Sequence, residues 1–68
     1  MSIGENLRNI REVKGYTQRN LAEKAGITQS MLAQLERGTK AMTLPTALSL
    51  AEILECSVMD FVQNHKGV

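Results

Sequence analysis

Three glycines, each soon followed by a threonine, punctuate this chain: "GYT" at 15–17, "GIT" at 26–28 and "GT" at 38–39. Glycine reaches the left-handed backbone that ends a helix, and a threonine just beyond supplies a hydroxyl that can cap the next one. The punctuation therefore predicts a series of short helices, each marginal alone and held by mutual packing. Hydrophobic residues make up 43% of the chain but aromatics only 3%. The core has to be aliphatic, which suits packed helices better than a β-sandwich.

Within this frame, the segment Ser2 to Lys14 places Ile3, Leu7, Ile10 and Val13 on one helical face, with Gly15 as its stop. Thr17 caps a second helix with apolar positions Leu21, Ala22 and Ala25, ended by Gly26. Thr28 caps a third that runs to about Arg37, with Gly38 as terminator. In "TLPTALSLAEIL", Thr43 is the cap and Pro45 is tolerable, because first-turn N–H groups have no intrahelical partner. Leu44, Ala47, Leu48, Leu50, Ala51, Ile53 and Leu54 cover most of that helix's circumference, so it is expected at the buried centre. Finally, "SVMDFV" has Ser57 and Asp60 at capping-box spacing, and Val58, Phe61 and Val62 are expected to close the core. The expectation is an all-α, compact five-helix bundle. It would be one domain over 1–68, with its core at about 3–62 and a frayed tail, "QNHKGV", at 63–68.

Sixty-eight residues lie near the lower limit for folding without staples. One cysteine excludes an internal disulfide and cannot alone make a zinc site. No apolar run approaches membrane-spanning length, and the N-terminus lacks a signal-peptide core, so a cytoplasmic protein without a membrane partner is expected. The net charge of +1 hides an asymmetry. Residues 1–43 carry seven Lys and Arg against four acids, and residues 44–68 carry one against three. That permits a positive face, although a solvated helix surface produces the same imbalance. No catalytic histidine–nucleophile pair, paired acids, phosphate-binding glycine pattern or metal cluster is apparent, so neither an enzyme nor a cofactor is expected.

The third helix carries the chemistry. In "GITQSMLAQLERG", Met31, Leu32 and Leu35 fall on one side, while Gln29, Ser30, Ala33, Gln34 and Arg37 fall on the other. A face of amides, a hydroxyl and one guanidinium is unusual for solubility alone. Glutamine can bond adenine bidentately in the major groove, serine can bond several base edges, and Ala33 offers a methyl to thymine. Helices two and three are separated only by "AGIT", the glycine-containing turn of a helix-turn-helix, though other helical hairpins also use such a turn.

The run "YTQRNLAEKAGITQSMLAQLERGTKAMTLPTALSLAEIL" resembles the Cro and phage-repressor type of helix-turn-helix domain, the xenobiotic response element family. The matching pieces are "TQ", "LAEKAGIT", "LERG" and "LSLAEIL", in order and at the expected spacing, across roughly residues 3 to 62. The resemblance implies a lambda-repressor-like fold that binds double-stranded DNA, with Gln29, Ser30 and Gln34 at base-reading positions. It further implies that Gln18 bonds a phosphate from the start of helix two, aided by the helix dipole. Thr39 and Lys40 would follow the backbone, with Arg19 and Arg37 as further phosphate candidates. Arg11 and Glu36 match a pair common in the family; Arg11 could also reach a phosphate, and a plain surface pair is the competing reading. The sequence departs from the pattern at Glu55, where many relatives have glycine. A left-handed Glu55 would carry about 1–2 kcal/mol of strain, unless the helix ends differently.

A single helix reads only a few base pairs, so a homodimer on a pseudo-palindromic operator is expected, with Val58, Met59 and Val62 as dimerisation candidates. Repression of transcription is the foremost expectation. The alternatives are an antitoxin with a protein partner and a controller protein of a restriction–modification pair. Cys56 is expected to pack rather than sense redox state, and Met31 to sit at the core edge.

Overall fold

The computed structural model describes residues 2–63. Of the expected tail, only Gln63 belongs to these; the rest, His65 and Lys66 included, lies outside the described residues. Five helices follow in order: α1 (Ile3–Val13), α2 (Gln18–Ala25), α3 (Gln29–Arg37), α4 (Leu44–Leu54) and α5 (Met59–Val62). The described residues contain no strand.

Local chemistry accounts for the helix ends. The hydroxyls of Thr17, Thr28 and Thr43 accept the backbone N–H groups of Asn20, Met31 and Thr46, satisfying donors that have no partner within the helix. α1 starts with a reciprocal capping box between Ser2 and Glu5, a signal the sequence holds at the usual spacing. α2 and α3 end at Gly26 and Gly38, both in the left-handed region that a Cβ disfavours. α4 ends the same way at Glu55, whose φ of 56° makes it the sole non-glycine with positive φ among the described residues. The helix does not run on; the strained alternative is the one realised. At α5 the capping box expected from Ser57 and Asp60 forms only by half. The backbone N–H of Ser57 donates to the Asp60 carboxylate, but the Ser57 hydroxyl accepts from Met59. The Asp60 N–H bonds the Ser57 backbone carbonyl, and Val58 at the N-cap makes no side-chain cap bond.

Leu7, Leu21, Ala22, Leu32, Leu35, Ala47, Leu50, Ala51, Leu54 and Phe61 form the buried core. α1 packs on α3 and α5, while α2 packs on α3 and α4. This arrangement corrects three expectations. Ile3 and Val13 are not on the buried face of α1, and Val13 is 83% exposed. The stripe that faces the protein is instead Gly4, Leu7 and Arg11, with Asn6 beside it. Gly4 lies so close to the carbonyls of Leu35 and Glu36 that a Cβ would collide with both. Asn6 donates its side-chain amide to the Phe61 carbonyl at 2.8 Å. Neighbouring backbone thus sets the orientation of α1, overriding its apolar pattern. Second, α4 is central on one side only: Leu44 and Leu48 are 63% and 54% exposed. Third, Phe61 closes the core, with Val58 packed partly against it, but Val62 faces outward.

Two substitutions should shift stability in opposite directions. Glu55→Gly should raise it by about 1 kcal/mol, by relieving left-handed strain. Gly4→Ala should lower it by at least about 1–3 kcal/mol, because packed backbone leaves the methyl no room. Denaturant midpoints of the two variants against the parent chain check both signs.

Candidate nucleic-acid interface

A helix nine residues long, fixed by its inner leucines, can present only one face, and α3 does so cleanly. Leu32 and Leu35 are buried and Met31 sits at the edge of burial, while Gln29, Ser30, Gln34 and Arg37 are exposed and Ala33 is half-buried. At 100° per residue the outer five residues share an arc of about 140°. The sequence-predicted base-reading residues are therefore brought together on one accessible surface. Gln29 and Ser30 lie at the N-terminal end, where a docked recognition helix meets base edges.

Glu36 falls between the two faces and is buried, and its carboxylate organises the ground beside α3. Arg11 donates from Nε to Oε2 at 2.6 Å and from Nη2 to Oε1 at 3.2 Å, the forked geometry that suits guanidinium and carboxylate. Its Nη1 also donates to the Tyr16 carbonyl at 2.8 Å. Gln18, the first residue of α2, donates its amide to Glu36 Oε1 at 3.0 Å. One carboxylate therefore ties α1, α2 and α3 together. The competing readings of Arg11 and Glu36 resolve in favour of a buried positioning pair rather than a surface one. Since a carboxylate only accepts, the amide nitrogen of Gln18 has to face Glu36.

The phosphate candidates separate into groups. Arg11, Gln18, Arg37 and Thr39 line one open groove between α1 and the C-terminal part of α3, together with Ala33, Glu36, Ser2, Glu5 and Arg8. The Thr39 hydroxyl donates to the Gln34 carbonyl at 3.3 Å, which holds the start of the loop against α3. Lys40 is exposed on that loop but lines a different recess with Gly4 and Met42. Arg19 stands on the outside of α2, 3.7 Å from Glu23 one turn later. The bond between Gln18 and Glu36 and the presence of Arg8 in the groove were not foreseen. Helical spacing could have signalled the second, since Arg8 lies one turn before Arg11. Nothing local signals the first.

Elsewhere, Val58, just before α5, is half-buried, while Met59 and Val62 on α5 and Leu44 and Leu48 on α4 are exposed. Cys56 is half-buried. Burial, and then the Asp60 carboxylate, push its thiol above the ordinary range against the pull of Lys14. Among the described residues no group of three or more His, Cys, Asp or Glu could hold a metal ion, and no helix is long and apolar enough to cross a membrane.

A short helix with an exposed amide face, entered through a tight glycine turn and backed by a helix that buries its opposite side, defines the helix-turn-helix class of DNA-binding fold. The helix-turn-helix family model matches residues 7–61, and the chain belongs to this family of Cro/C1-type DNA-binding transcription regulators. It is similar to the restriction–modification controller protein C.AhdI from Aeromonas hydrophila. The identity is 32%, covering 87% of this chain and 89% of that one, with a TM-score of 0.83. It is also similar to the clp gene regulator ClgR from Corynebacterium glutamicum, at 37% identity over 88% of this chain and 78% of that one, TM-score 0.84. A third similar structure is SinR from Bacillus subtilis, the master regulator for biofilm formation, in complex with DNA. It is 31% identical over 90% of this chain and 98% of that one, TM-score 0.84. The comparison with curated protein sequences found no match.

The buried pair should reveal itself in a double-mutant cycle. Arg11→Met and Glu36→Met should each cost about 3–5 kcal/mol, because each strands the other charge. The double variant should cost clearly less than their sum, as urea unfolding would measure.

Proposed function

We propose that the protein binds a pseudo-palindromic operator as a C2 dimer in the cytoplasm and represses transcription by occupying it, without catalysis. The observation that carries this reading is the exposed set Gln29, Ser30, Ala33 and Gln34 on α3. Gln29 and Gln34 match the hydrogen-bonding edge of adenine, Ser30 bonds base edges of several kinds, and Ala33 lets the helix approach a thymine methyl. Gln18 offers its second amide N–H to a phosphate, and Arg37, Thr39, Lys40 and Arg19 supply further backbone contacts. Arg11 acts mainly by holding Glu36. Affinity comes from the backbone contacts and sequence choice from α3.

Dimerisation uses α4 and α5. Met59 and Val62 on α5 and Leu44 and Leu48 on α4 are large apolar side chains left exposed, which a second copy would cover; Val58 is half-buried. A symmetric pair built this way reads half-sites about 34 Å apart.

A second reading, controller protein of a restriction–modification pair, keeps the same DNA mechanism. Its support is the similarity to C.AhdI over 89% of that chain. The readings differ in the gene that is regulated.

Selection of bound sites from a random duplex pool should return inverted repeats with half-site centres about one helical turn apart. On the selected site Gln29→Ala should cost about 1–3 kcal/mol of binding while leaving random DNA nearly unaffected. An equal loss on both would contradict base reading, and a pool without symmetry would contradict the dimer.

A further inference from the structure

We propose that Arg8 is a DNA-backbone contact that binds a phosphate over the groove between α1 and α3. This rests on the DNA-binding reading and adds to it a residue of α1 not among the phosphate candidates that the sequence suggests. Arg8 lines the same groove as Gln18, Ala33 and Arg37. Ala33 belongs to the base-reading face and Gln18 begins α2, so a duplex seated on α3 carries a backbone past this groove.

The charges in the groove point to Arg8 rather than to Arg11. Arg11 and Glu36 neutralise each other on its floor, and Arg11 is committed through Nε, Nη1 and Nη2. Glu5 also lines the groove and opposes an anion there, but its carboxylate accepts the Ser2 backbone N–H at 3.2 Å, within the capping box. Positive charge unspent on the floor thus comes from the walls, Arg8 and Arg37. The Arg8 side chain is 63% exposed, and its hydrogen bond to Glu12 at 3.3 Å uses Nε alone. An exposed pair of this kind holds weakly. A phosphate offers the guanidinium fork a stronger, bidentate partner.

Non-specific binding isolates this contact, because it depends on phosphates and needs no knowledge of the operator. The experiment measures affinity of the full chain for a random-sequence duplex of about 20 base pairs across a range of salt. The parent chain is compared with Arg8→Gln and with Lys14→Gln. Lys14 is a charge-matched control lining a different groove with Val13 and Cys56. Arg8→Gln should weaken binding and flatten the slope of log K against log salt by about 0.9, the loss of one phosphate contact. Lys14→Gln should change the slope much less, and circular dichroism should show both variants folded. Parent-like binding by Arg8→Gln, or an equal change in Lys14→Gln, would overturn the proposal while a steep slope in the parent leaves the DNA reading standing. A parent chain with no salt-dependent binding would overturn both.

Discussion

The carboxylate of Glu36 is the point on which this structure turns. It accepts from Arg11 twice and from Gln18 once, and so joins the three helices that surround the turn. A buried charge of this kind is tolerated only when it is paired and fully bonded. Among the described residues no buried side-chain polar atom lacks a hydrogen-bond partner. The pair adds direction more than net stability, since apolar side chains of similar volume could fill the space without a desolvation cost. What they could not do is hold Gln18 and α3 in a defined relation. Gly4 reinforces this, because its missing side chain lets α1 rest against the Leu35 and Glu36 carbonyls.

This arrangement separates two jobs along α3. Leu32 and Leu35 anchor it in an aliphatic core, leaving amides and a hydroxyl outside. A recognition helix benefits from such a division: rigid placement of polar groups, with their hydrogen-bonding capacity unspent, makes discrimination between base edges possible. The apolar residues exposed on α4 and α5 line no part of the groove beside α3.

Much of the fold was legible because it is written locally. Thr17, Thr28 and Thr43 cap as their positions imply, and Gly26 and Gly38 terminate α2 and α3. The exposure of Gln29, Ser30 and Gln34 was legible for a similar reason: once Leu32 and Leu35 are buried, helical phase leaves those residues outside. The burial of α1 was not legible. Its buried stripe uses a glycine, an asparagine and an arginine, and each is there because of a partner 25 to 55 residues away in the chain or packed backbone that no window contains. Reading α4 as buried all round failed differently. A small domain has too little polar surface to cover itself, so apolar residues such as Leu44 and Leu48 do not have to be inside. DNA binding itself was legible through the order of the motifs rather than composition, for a net charge of +1 says little about a nucleic-acid partner.

The central claim is that the amides of α3 enter the major groove and touch bases. Nitrogen-15 NMR of the side-chain carboxamides addresses it most directly, in a titration with a duplex recovered from the random pool. The resonances of Gln29 and Gln34 should shift strongly and saturate with the DNA, while that of Gln63, beyond α5, should stay nearly still. Unchanged signals from Gln29 and Gln34 in a saturated complex, with movement confined to α4 and α5, would contradict it.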